Sequence, residues 1–128
     1  MIRIVPEFDE CSQWSPTARV ITLPKKSSKY YEHLPSVLAH EIGHVREGHD
    51  LSGLNVGSLT ELYQERDAWM SAVRRMAPEE IEPEFVNSTI GTYVREVLNK
   101  YGEDSEQYKE AKRIRRELMD YVRRRARG

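Results

Sequence analysis

Five residues, His40-Glu41-Ile42-Gly43-His44, constrain this chain more than any others. They follow Val37-Leu38-Ala39 and lead into Val45, so apolar residues recur with helical spacing from about Pro35 to Glu47. Proline is tolerated in a first turn, and Gly48 is a natural stop. On a helix, positions i and i+4 stand one turn apart on the same face. Both imidazoles therefore point one way. Gly43 in mid-helix costs about 1 kcal/mol against alanine. That cost calls for another backbone lying close beside it. The bland alternative is a surface helix with two stray histidines, which the apolar run before His40 argues against.

The surrounding pattern predicts two strands and about four helices. Ile2, Ile4 and Phe8 alternate with Arg3 and Glu7, giving a strand over 1–8 that Pro6 restricts to an edge. Residues 9–16 read as a loop. Residues 17–23, TARVITL, form a second β-branched strand ended by Pro24. After a loop at 50–57, Ser58-Leu59-Thr60-Glu61 is a capping box that starts a second helix ending at Pro78. Residues 79–84 are a linker. Helices over 84–101 and 104–126 follow, with Gly102 between them. The expected fold is α+β: a small antiparallel β-sheet packed on the histidine helix, followed by about three further helices. Residues 1–78 would form the core and 79–128 a helical extension packed on it, a single domain overall.

Two imidazoles at this spacing can bind one Zn2+ at about 2.0–2.1 Å each. Glu41 is rotated by about 100° from His40 and suits a general base acting on water better than a third ligand. A catalytic zinc needs a third protein ligand and an open position. On the second helix Leu62, Ala68, Trp69, Ala72 and Met76 all fall within about 60° of Glu65. A carboxylate thus stands at the centre of an apolar stripe, where an unpaired charge costs several kcal/mol. Coordination to a cation removes that cost; a salt bridge to an arginine would also do so. Asp50, His49 and Glu61 are the other candidates for this place, although the capping box already employs Glu61. His49, Tyr63 and Tyr93 are candidate donors to a developing oxyanion.

The stretch LAHEIGHVREGHD, followed by Glu65-Arg66-Asp67-Ala68-Trp69, resembles the ImmA/IrrE-like zinc metallopeptidases. Their pattern is H-E-x-x-H, often with a further histidine five places on, as His49 is here, and then an E-x-x-A helix. The strand ARVITLP also matches the edge strand that precedes their active-site helix, so the resemblance covers roughly residues 17–77. It implies a minimal zincin-like fold, zinc on His40, His44 and Glu65, and Glu41 as general base and acid. It further implies cleavage of a repressor or other regulatory protein. The chain departs from that pattern after Ala68, and the family's usual repressor-like DNA-binding domain is not expected within these residues.

Composition narrows the partners. Twenty Lys and Arg against 21 Asp and Glu leave a net charge of -1, with no whole-molecule attraction for nucleic acid or anionic membrane. No apolar run approaches the roughly 18 residues of a membrane span. The first residues carry no secretory signal, so a cytoplasmic setting is expected. The single cysteine, Cys11, rules out an intrachain disulfide and lacks the context of a deformylase ligand. Nine Lys and Arg lie between 109 and 127, interleaved with Glu110, Glu117 and Asp120. They read as a solvated helix face. The competing reading is a non-catalytic interaction module, with a structural zinc and a basic helix that binds a protein partner or DNA. On the enzyme reading the partners are a protein or peptide substrate and a regulatory protein.

Overall fold

The computed structural model describes residues 3–9, 13–15, 20–24, 31–49 and 56–128. Three strands come first: β1 (Arg3–Asp9), β2 (Gln13–Ser15) and β3 (Val20–Pro24). A single 3-10 turn, Tyr31–His33, leads into α1 (Leu34–Arg46). Then follow α2 (Leu59–Arg75), a second 3-10 turn at Pro78–Glu80, α3 (Pro83–Tyr101) and α4 (Glu106–Ala126).

This corrects the expected α+β fold with its antiparallel sheet. Four helices of 13, 17, 19 and 21 residues dominate the described residues. The strands amount to a short ribbon ordered β1-β3-β2, in which β1 runs parallel to β3 and only β2 is antiparallel to it. The reason is topological. β2 falls where a loop was expected and reverses the chain once; β3 reverses it again and takes the central place, so it must run with β1. Pro6 falls in the stretch between Val5 and Asp9 where the β1–β3 register shifts. It has no N–H to give, and an edge strand accommodates that loss.

Ile21 and Leu23 of β3 are buried against Leu34, Leu38, Ile42 and Val45 of α1. The other side of α1 faces α2 at very short range. A Cβ built on Gly43 would stand 2.3 Å from the Ala68 carbonyl oxygen. Only glycine lets the two backbones approach so closely.

The main core joins α2, α3 and α4. Leu62, Trp69 and Val73 pack with Val86, Ile90 and Val97, and with Ile114, Leu118 and Val122. Burial of this stripe, rather than intrinsic propensity, is what stabilises such helices. Their ends are marked locally. The Ser58 hydroxyl accepts from the Glu61 N–H at 3.1 Å, and the Ser105 hydroxyl from the Tyr108 N–H at 3.1 Å. Gly102 closes α3 with φ +94°. The start of α1 is completed from a distance. The Glu82 carboxylate accepts from the Ser36 hydroxyl and from His33 Nδ1, both at 2.6 Å. A negative group there also suits the positive end of the helix dipole.

Candidate metal centre

The close approach at Gly43 sets α1 and α2 side by side, and the centre lies between them. His40 and His44 come from α1, Glu65 from α2. His40 Nε2 lies 2.7 Å from Glu65 Oε2, and His44 Nε2 lies 3.1 Å from Glu65 Oε1. One ligand atom from each residue falls within 4.8 Å of the others. His44 and Glu65 are buried, at 1% and 4% exposure. His40 Nε2 and Glu65 Oε2, close as they are, do not meet with hydrogen-bond geometry. Two nitrogens and a carboxylate converging in a buried place form a donor set suited to Zn2+. The residues present therefore fit the ion.

The electrostatics agree with that fit. Burial pushes Glu65 up, yet His40 and His44 hold it well below the ordinary carboxylate range. Burial pushes His40 down, but Glu65 and then Glu41 outweigh it and raise the ring to about 10. Glu65 and Glu41 thus place negative charge beside His40, which its ring proton balances.

The supporting residues follow from helix geometry. Trp69 lies one turn after Glu65 and stacks on His40, with ring centroids 4.4 Å apart. His49 Nδ1 lies 2.9 Å from His44 Nδ1, on the ring nitrogen facing away from Glu65. Such a contact fixes the tautomer and plane of a ligand histidine. Glu41 is buried beside His40, its Oε1 3.6 Å from His40 Nδ1.

A cleft of about 220 Å³ opens onto the centre. His40, Glu41, Glu65 and Trp69 line it from α1 and α2. Phe85, Thr89, Tyr93 and Glu96 line it from α3.

The remaining candidates separate cleanly. Tyr93 lines the cleft and its hydroxyl meets Glu65. Burial and then Glu65, Glu61 and Glu41 push that hydroxyl well above its ordinary value. Tyr63 is turned away and donates to Glu110 of α4. His49 stands behind His44. Glu61 is outside the ligand group and instead meets Glu96. Asp50 and Cys11 lie outside the described residues.

Sequence reasoning missed Glu96, Thr89 and the role of Trp69. The only signal was their spacing: Phe85, Thr89, Tyr93 and Glu96 repeat at three and four residues along α3.

The basic residues of α4 are largely engaged within the chain. Arg113 binds Glu110 and Glu117, Lys109 binds Glu106, and Arg115 binds Asn87. Arg125 donates to the Arg74 and Met76 carbonyls at the end of α2. No helix among the described residues is long and apolar enough to cross a membrane.

No known family model, curated protein or solved structure matches the chain.

Proposed function

We propose that this chain is a zinc-dependent endopeptidase of the cytoplasm, with His40, His44 and Glu65 holding Zn2+ and Glu41 as general base. A repressor or other regulatory protein is the substrate class that the sequence resemblance suggests. One observation carries the reading: the His40–His44–Glu65 cluster drawn from two helices, with His44 and Glu65 buried, Glu41 beside it and a cleft opening onto both.

A bound Zn2+ would polarise the scissile carbonyl and bring water's pKa down toward about 7. Glu41 accepts the proton of the attacking water and delivers it to the departing amine. Tyr93, already beside Glu65, donates to the oxyanion as charge develops there. Trp69 and His49 keep the two imidazoles in plane. The alternative, a basic interaction module, is weakened by the pairing of Arg113, Arg115 and Arg125 within the chain.

The test separates binding from chemistry. Purified protein should carry about one zinc per chain by elemental analysis. Glu41→Gln should keep that zinc and lose proteolysis. A Glu41→Gln variant that cleaves as fast as the parent would overturn the mechanism. Absence of bound zinc would overturn the site.

A further inference from the structure

Phe85 stands between two cavities. The cleft at the centre extends beyond the metal ligands to Val37, Trp69, Phe85 and Thr89. A second depression of about 450 Å³ is lined by His33, Glu82, Pro83, Glu84, Phe85 and Ser88. Among the described residues, Phe85 is the one side chain that lines both. Its ring meets Trp69 edge to face, with centroids 6.1 Å apart at 83°. His33 stacks on it, with centroids 4.2 Å apart at 21°. His33 is in turn held at 2.6 Å by Glu82, which also ties the buried Ser36. A chain of contacts therefore braces the ring.

The end of the cleft that Phe85 closes is apolar. Val37 stands one turn before His40 and Glu41 on α1, and Trp69 one turn after Glu65 on α2. The Thr89 hydroxyl is spent on the Phe85 and Val86 carbonyls. Glu96 lies two turns beyond Thr89 along α3. The cleft, about 220 Å³, is smaller than the roughly 300–1,000 Å³ that holds a drug-sized ligand. It suits one side chain beside the reacting group. Apolar walls favour an aliphatic side chain by the area they take from water. A large aromatic one would have to pass between Trp69 and Phe85, and rings with centroids within about 4.5–7 Å are already in contact.

We propose that Phe85 sets the size of the substrate side chain accepted beside the scissile bond, admitting an aliphatic residue of leucine size and excluding a bicyclic aromatic one. This rests on the peptidase reading, so the experiment has two arms. The first needs no turnover. Its probes are hydroxamates, whose two oxygens ligate zinc, carrying a methyl, an isobutyl or a naphthylmethyl tail. On the zinc-loaded chain, calorimetry should find the isobutyl probe bound about tenfold tighter than the methyl probe, and the naphthylmethyl probe no tighter than the methyl one. With zinc content retained, Phe85→Ala should raise the ratio of naphthylmethyl to methyl affinity about tenfold. Phe85→Leu, which keeps an apolar side chain for the fold, should raise it about threefold. General damage weakens all three probes together and leaves that ratio where it was. Equal affinities for the three tails, or a ratio unchanged in both variants, overturns the proposal.

The second arm is cleavage. Peptide libraries are fixed in turn at each position as Leu or naphthylalanine. At one position beside the cut, Leu should give about tenfold higher kcat/KM, and Phe85→Ala should bring that ratio below about twofold. Cleavage with no such position overturns the size limit and leaves the peptidase standing. Discrimination among the hydroxamates with no peptide cut overturns the peptidase and leaves Phe85 as the limit on what the metal cleft admits. A chain that binds no zinc overturns both.

Discussion

Replacing Gly43 by alanine tests the frame on which the centre is built. Helix propensity alone favours the change by about 1 kcal/mol. The packing opposes it. The new methyl would stand 2.3 Å from the Ala68 carbonyl oxygen, 3.0 Å from its carbon and 3.1 Å from its Cα. These are backbone atoms in the middle of α2 and cannot swing aside. A carbon–oxygen contact needs roughly 3.3 Å, so α1 and α2 must part by about 1 Å. Overpacking of this kind costs about 1–3 kcal/mol and can cost more. The net expectation is a loss of up to about 2 kcal/mol in urea unfolding, in place of the gain that propensity predicts. The effect on zinc should be larger in proportion. His40 and His44 move with α1 and Glu65 with α2, while ligand distances tolerate only about 0.2 Å. Zinc affinity by chelator competition should therefore fall at least about tenfold. Gly48→Ala is the control: it strains a φ of +69° but meets nothing within 4 Å. A Gly43→Ala protein that is more stable than the parent, with zinc affinity unchanged, would refute the helix contact and the centre's geometry together.

Three further outcomes are expected. Ser58→Ala removes the hydroxyl that caps α2 and should cost about 1 kcal/mol in chemical denaturation. Arg125→Ala should lower the melting temperature through the lost bonds to the Arg74 and Met76 carbonyls, by about 1 kcal/mol in stability, and Arg125→Lys should not restore it. Glu61 is a carboxyl raised in the folded chain from 4.5 to about 7. Between those values the folded state binds more protons than the unfolded one, so this group erodes stability as pH rises from 4.5 to 7. Relative to the parent, Glu61→Gln should gain stability at pH 8 and gain none at pH 4. An equal difference at the two pH values would refute the shift.

Much of the helical part was legible because its signals are local. Ser58 three residues before Glu61, Pro35 in a first turn and Gly102 after a long apolar stripe each act over one turn, and each element begins or ends where they stand. Glu65 was legible for a different reason: a carboxylate amid Leu62, Trp69 and Ala72 is costly without a partner. The strand order was not legible. Whether β3 pairs with β1 or leaves it apart depends on which strand takes the centre, and no residue of TARVITL encodes that. Long-range polar partners were also hidden. Tyr63 has the same chemistry as Tyr93, but its place on α2 turns it toward Glu110 of α4. Glu61 and Glu96 are 35 positions apart, and only the antiparallel run of α2 and α3 joins them. The capping box was half right: Ser58 caps α2, whereas the Glu61 carboxyl reaches the Gly57 N–H and Glu96.

The carboxylate that closes the first turn of α1 has a consequence for the order of events as the chain emerges from the ribosome. Both histidines, and the glutamate they face, are synthesised before Glu82. Until Glu82 arrives, the Ser36 hydroxyl and His33 Nδ1 lack the carboxylate that joins them across the first turn of α1. The beginning of α1 is therefore fastened only once the segment leading into α3 has reached back to it.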